Sequence, residues 1–189
     1  MGGEQMMTDK QLVEGCKSGQ QEHLEFLIVR YRDDLYRFCR HLTLNRQDAE
    51  DLFQEVWVRV LRKLEKYDAE RPFKPWLFQV AFNMYRDRYR KWKSVYALWT
   101  WLSSDAELIH IRDPAPLAEE DLLRHEEHRL LEECLRSLPK RYLAPLVLYY
   151  YEEFSYEGIA EVLGVPLGTV KSRLNHGKKL LHKLMKEMN

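Results

Sequence analysis

The 189 residues carry 30 lysines and arginines against 30 aspartates and glutamates, so overall charge supports no nucleic-acid partner. No apolar run is long enough for a membrane span, and Met1–Gln20 lacks the apolar core of a signal peptide. Cys16, Cys39 and Cys134 form no CxxC pair, which excludes a disulfide framework and leaves one or two small domains with reduced thiols in a cytosol.

In chain order, residues 1–6 carry no pattern. Thr8 and Asp9 can open a short helix over Lys10–Cys16, which Gly15 and Ser18-Gly19 close. A long amphipathic helix follows, with Leu24, Leu27, Ile28, Tyr31, Leu35, Phe38, Cys39 and Leu42 at spacings of three and four. Asn45 to Gln47 interrupts it, and Asn45 or Asp48 can cap the next helix, Ala49–Leu64. There Leu52, Phe53, Val56, Val60, Leu61 and Leu64 are expected inward. Asp48, Glu50, Asp51, Gln54 and Glu55 crowd its first turns, where acids suit the positive end of the helix dipole.

Asp68–Pro75 reads as a loop and Trp76–Lys93 as a helix with Trp76, Leu77, Val80, Ala81 and Met84 buried. Phe78, Phe82, Tyr85 and Tyr89 are interleaved with Gln79, Asn83, Arg86, Arg88 and Arg90. That mixture on an exposed face suits stacking on unpaired bases together with phosphate contact. Ser94 to Glu120 reads as a linker containing Tyr96, Trp99, Trp101 and Asp113-Pro114-Ala115-Pro116. Helices resume at Asp121, with Leu122, Leu123, Leu130, Leu131, Cys134, Leu135 and Leu138 inward. Pro139 then opens a helix carrying Tyr142, Leu143, Leu146, Val147, Tyr150 and Tyr151.

The stretch Ser155–Leu181 is the most informative. Ile159, Ala160, Val162 and Leu163 give a short apolar face, Gly164 can take a left-handed cap, and Pro166 suits a helix start. On the second helix Leu167, Val170, Leu174, Gly177 and Leu181 form one stripe. Gly168, Ser172, Asn175, His176 and Lys179 lie opposite, flanked by Lys171 and Arg173. Two short helices around a small-residue turn, the second polar and basic outward, make a helix-turn-helix. Charge is patterned to match. Basic islands at Arg86–Lys93 and Gly164–Asn189 flank Ser103–Glu133, which holds ten acids against three arginines. With no strand pattern anywhere, the fold class is all-α: two small helical domains joined by an acidic linker.

Five segments in this order resemble the extracytoplasmic-function sigma factors of the bacterial sigma-70 family. Asp48-Ala49-Glu50-Asp51-Leu52-Phe53-Gln54-Glu55-Val56 is similar to the segment that docks on RNA polymerase. Phe73-Lys74-Pro75-Trp76-Leu77-Phe78-Gln79-Val80-Ala81-Phe82-Asn83 is similar to the promoter-melting segment. Leu138–Tyr142, Glu152–Tyr156 and Gly168–Leu174 resemble the C-terminal domain.

The resemblance implies a division into residues 1–22 (N-terminal segment), 23–93 (region 2), 94–120 (linker) and 121–189 (region 4). It implies that Asp48, Asp51, Leu52, Gln54 and Glu55 meet the beta-prime clamp of the polymerase core, with the beta flap as a second contact. Tyr67, Arg71, Phe73, Lys74, Trp76, Asn83, Arg86 and Arg90 would hold the melted minus-ten strand, a flipped base sitting at the loop Tyr67–Pro75. Gly168, Thr169, Lys171, Ser172, Arg173, Asn175, His176 and Lys179 would contact the minus-thirty-five element. An anti-sigma factor is the further partner implied, holding a cytoplasmic chain at the inner face of the membrane. No cofactor is implied. The chain departs from the family's usual pattern at His176, where arginine is common, and at Gly177, where alanine is.

A stand-alone helix-turn-helix regulator would account for Ser155–Leu181 but not for the two earlier segments. A helical adaptor whose aromatic surface binds only protein is the alternative without DNA, and it would not bind promoter DNA with or without polymerase. His125-Glu126-Glu127-His128 spaces its histidines three apart rather than the four of a zinc-protease box, and Cys39-Arg40-His41 is too thin for a metal site. No enzymatic centre is expected.

Overall fold

The computed structural model describes residues 7–102 and 122–188; residues 1–6 and most of the expected linker lie outside it. Eight helices occur among the described residues. They are α1 (Asp9–Lys17), α2 (Gln21–Thr43), α3 (Arg46–Leu64), α4 (Phe73–Leu102), α5 (Leu122–Ser137), α6 (Lys140–Tyr150), α7 (Tyr156–Leu163) and α8 (Leu167–Met188).

Their ends follow local chemistry. Thr8 and Gln11 close a capping box on α1, and the Asp9 carboxylate accepts from Arg30 and Tyr31, pinning α1 to α2. Asn45 Oδ1 accepts from the Asp48 amide at 2.8 Å, so α3 begins at Arg46, three residues before the expected start. Helix α4 also starts earlier than expected, at Phe73. Pro75 falls in its first turn, where its missing N–H costs no intrahelical bond. It continues to Leu102, because no glycine or proline interrupts Ser94–Leu102; the expected linker therefore begins as helix. Gly164 caps α7 at φ 63°, as the sequence suggests. Leu44 adopts the same left-handed conformation at φ 56°, with its side chain buried.

Helices α1–α4 pack around Leu12, Leu27, Leu35, Leu42, Leu52, Val56, Leu77 and Ala81. Helices α5–α8 pack around Leu135, Leu143, Leu146, Ile159, Val162, Val170 and Leu174. These two bundles also meet each other, α2 and α4 lying against α6 and α7 in one continuous apolar cluster. Phe78 sits between Phe38, at 4.9 Å between ring centroids, and Phe154 at 5.1 Å. The expectation that Phe78 and Tyr85 stack on bases is therefore corrected. Phe78 is fully buried and Tyr85 nearly so, because helical spacing turns both toward the core. Leu61 is corrected the other way: expected inward, it is 47% exposed on the outer face of α3.

The seam between bundles also holds charge. Glu152 is 3% exposed, and its carboxylate accepts from Arg37 Nε at 3.1 Å and Nη2 at 3.0 Å. Arg37 Nη2 donates as well to Asp34, 2.9 Å away, and Lys74 reaches Asp34 at 3.1 Å while lying over the Phe78 and Phe154 rings. Burial pushes the Glu152 carboxyl above its ordinary range, against the opposing pull of Arg37. At the other end of the seam Arg71 Nη2 contacts Glu161 at 2.7 Å, and Gln79 Nε2 donates to the Glu161 carbonyl at 2.9 Å.

His41 rests on Tyr151 across this seam, 3.9 Å between centroids, and burial lowers its pKa to about 4. An unfolded chain takes up a proton at this imidazole near pH ~6.5, whereas the folded chain refuses it until about 4. Stability from His41 is thus present above about pH 6.5 and is lost as pH falls toward 4. Glu152 acts with the opposite sign, so the measurement is a comparison. Thermal unfolding of wild type should lose more stability between these pH values than His41→Phe, which keeps a ring on Tyr151.

Glu153 joins α6 to α7 at φ 55°, a conformation that costs a side-chain-bearing residue about 1–2 kcal/mol. Glu153 is exposed, so Glu153→Gly should stabilise the chain by about 1 kcal/mol, read as a higher denaturant midpoint at unchanged slope.

Candidate protein and nucleic-acid interfaces

Helix α3 turns Leu52, Val56 and Val60 into the core and leaves Asp48, Asp51, Gln54 and Glu55 on its exposed side. Leu52, expected to meet the partner, is fully buried; it anchors the helix and has no surface to offer. Two residues missed in the sequence reading join this face. Val58 is 48% exposed, and it lines a shallow groove with Asp51, Gln54, Glu55, Arg59, Arg62, Met84 and Arg88. Arg88, from α4, pairs with Glu55 at 2.7 Å. The available signal was spacing: Val58 follows Asp51 by two helical turns. Together with Leu61 it adds an apolar patch beside the acids, the composition of a protein-docking surface.

The residues expected to hold the melted strand divide into three groups. Tyr67 and Phe73 are buried, and they support Trp76, which lies 4.3 Å from Tyr67 and 5.6 Å from Phe73 between ring centroids. Arg71 and Lys74 are engaged at the seam, with Glu161 and Asp34 respectively. Asn83, Arg86 and Arg90 follow one another along α4; Arg86 and Arg90 are exposed and share Asp87 as an acidic neighbour. Burial sets Tyr67 and Phe73 apart, and ion pairing at the seam separates Arg71 and Lys74 from the residues farther along α4.

Helix α8 presents what its periodicity predicts. Val170, Leu174 and Gly177 are buried, whereas Gly168, Lys171, Ser172, Asn175, His176 and Lys179 are exposed; Thr169 and Arg173 are half-buried at the flanks. Gly177 has a packing reason: a Cβ there would lie 3.0 Å from Leu146 Cδ1 and 3.2 Å from Tyr142 Cβ, so its absence lets α8 close on α6. Arg141 and Tyr142, at the start of α6, line the same depression as Gly168, Thr169, Ser172, Arg173 and His176. The sequence reading did not include these two in the interface, since they lie well before the helix-turn-helix.

Among the described residues no cluster of histidine, cysteine or acidic side chains could hold a metal ion, and no helix is long and apolar enough to cross a membrane. His41 is committed to the seam rather than to Cys39, whose thiol burial pushes up to about 12.

Comparison with known proteins agrees with this layout. The family models Sigma-70 region 2 and Sigma-70, region 4 match residues 27–95 and 128–181. The chain is 30% identical to the ECF RNA polymerase sigma factor SigW of Bacillus subtilis, over 96% of this chain and 99% of the relative. Its fold is similar to CnrH, solved with the cytosolic domain of CnrY, at a TM-score of 0.72 and 24% identity over 96% of this chain and 99% of that one. It is also similar to the sigma factor RpoE of Bartonella quintana, solved with the anti-sigma factor NepR. The TM-score there is 0.66, with 25% identity over 90% of this chain and 98% of that one. The two matched regions fall one in each helical bundle, and the alignment to SigW runs through both of them. The chain belongs to the extracytoplasmic-function sigma factors of the sigma-70 family.

Proposed function

We propose that this sigma factor docks α3 on the beta-prime clamp of RNA polymerase core, holds the melted minus-ten strand along α4, and reads the minus-thirty-five element with α8. The observation that carries the reading is α8 itself, with Lys171, Ser172, Asn175, His176 and Lys179 on its exposed side and Val170, Leu174 and Gly177 buried behind them. Ser172, Asn175 and His176 are the side chains for base edges; Lys171, Arg173 and Lys179 are those for phosphates. Asp48, Asp51, Gln54 and Glu55 supply the charge for the clamp, and Val58 with Leu61 the apolar contact. On α4, Asn83, Arg86 and Arg90 would track a strand, the two arginines exchanging their local partner Asp87 for phosphate, and Trp76 stands on its aromatic support beside the loop that would receive a flipped base.

This assignment requires the chain to open. Elements named minus ten and minus thirty-five lie about 25 base pairs apart, or about 85 Å along a duplex. The seam holds Arg71 within 2.7 Å of Glu161, one helix away from α8. The closed arrangement cannot span both elements, and opening frees Arg71 and Lys74 for the strand. An anti-sigma factor that favours the closed arrangement would keep the chain inactive, and a membrane tether on that partner would place it at the inner face.

The test is promoter-fragment binding by the full-length protein with and without polymerase core. Binding that requires core supports the reading; tight duplex binding by the chain alone would instead make it a free-standing regulator.

A further inference from the structure

Helix α8 carries an imidazole where the family commonly has a guanidinium, and the geometry of that imidazole has a consequence for base choice. His176 Nδ1 lies 2.9 Å from the Ser172 carbonyl oxygen one turn earlier. A carbonyl oxygen only accepts, so in the neutral ring the proton sits on Nδ1. Ser172 Oγ is farther from Nδ1, at 3.5 Å, and its hydroxyl hydrogen can rotate away, so it imposes no opposite tautomer. Tyr142 lies almost parallel to the imidazole, 15° between planes and 6.5 Å between centroids, and the Arg141 guanidinium packs over Tyr142 at 4.7 Å. The far nitrogen of the ring, Nε2, is left with a lone pair on the exposed side of α8.

We infer that His176 reads its base through Nε2 as a hydrogen-bond acceptor. It therefore selects a base with an amino group on its major-groove edge, adenine or cytosine. Guanine presents only acceptors there, N7 and O6, which face the Nε2 lone pair unfavourably; thymine presents an acceptor and a methyl. An arginine at this position has the opposite preference, since its paired donors fit guanine. Ser172 thus acts as a positioning residue through its backbone carbonyl, in addition to any contact its hydroxyl makes. The inference rests on α8 entering the major groove as proposed above.

The test is transcription by polymerase core with the full-length protein. The templates are a pool of promoter fragments randomised through the minus-thirty-five element, and the transcripts are sequenced. With wild type, one position should favour adenine or cytosine over guanine by about tenfold. His176→Arg should move that position alone to guanine, and His176→Ala should flatten it while leaving the others intact. Because His176 is exposed, both variants should fold, which circular dichroism checks. Guanine or thymine at the position that responds in wild type, or no position responding to either variant, would overturn the inference. Absence of any transcript with folded wild type is a different result, and it would remove the sigma-factor reading itself.

Discussion

Asp51→Arg is expected to weaken binding to RNA polymerase core by about a hundredfold and to leave the fold unchanged. Asp51 is exposed, and its one neighbour within its helix is Gln47 at a loose 3.4 Å, so nothing internal depends on it. Substitutions at such sites usually alter stability by no more than about 0.5 kcal/mol. At a docking surface the change is much larger. Placing a cation where a basic partner expects an anion replaces attraction with repulsion, at a cost of several kcal/mol; each ~1.4 kcal/mol is a tenfold loss. Fluorescence anisotropy of labelled protein titrated with core would measure this. The loss should shrink at high salt, because both surfaces are solvated. Equal affinity of the two proteins would mean that α3 does not face the clamp.

Arg37→Ala should open the chain. Glu152 has no solvent of its own in the closed arrangement, and Arg37 supplies two hydrogen bonds to its carboxylate. Removing one partner of a buried ion pair typically costs about 3–5 kcal/mol, because the remaining charge is left without water. Lys74 lies nearby and Arg37 is itself partly exposed, so a penalty of about 2 kcal/mol is appropriate, or about thirtyfold in the ratio of closed to open forms. Opening returns Glu152 to water, so the penalty is relieved at the seam rather than through either bundle. The expected observation is a larger radius of gyration in solution scattering, with helical content retained. Glu152→Gln should open the chain less, since the amide keeps one hydrogen bond without a buried charge. Unchanged dimensions in Arg37→Ala would show that the apolar contacts of Phe78 with Phe38 and Phe154 hold the seam by themselves.

The two bundles differ in how clearly the sequence specified their surfaces. On α8 the apolar and polar positions alternate at helical period with little ambiguity, and every residue expected outward there is exposed except Thr169 and Arg173, which are half-buried at the flanks. On α4 ten of the thirty residues are aromatic and six more are lysine or arginine, so periodicity could not separate Phe78, which is core, from Phe82, which is half-buried, or from Tyr89, which is exposed. Helix boundaries followed capping chemistry more than pattern: Asn45 moved α3 forward, and Pro75 proved to be inside a first turn rather than before it. The seam was not legible at all. Arg37 and Glu152 lie 115 residues apart, and as single letters each looks like an ordinary solvated charge. Only the fold brings them together, and only burial shows that Glu152 has lost its water. The exposed face of α3 was half legible, its acids from composition and its apolar part not, since Leu61 fits an inward stripe almost as well as an outward one.

Run-off transcription tests the central claim most directly. Purified bacterial core polymerase is combined with the full-length protein and genomic promoter fragments, with Asp51→Arg in parallel. The account predicts transcripts with defined start sites from a subset of fragments, absent without the protein and nearly absent with Asp51→Arg. No transcript and no core binding, from protein shown to be folded, would contradict it.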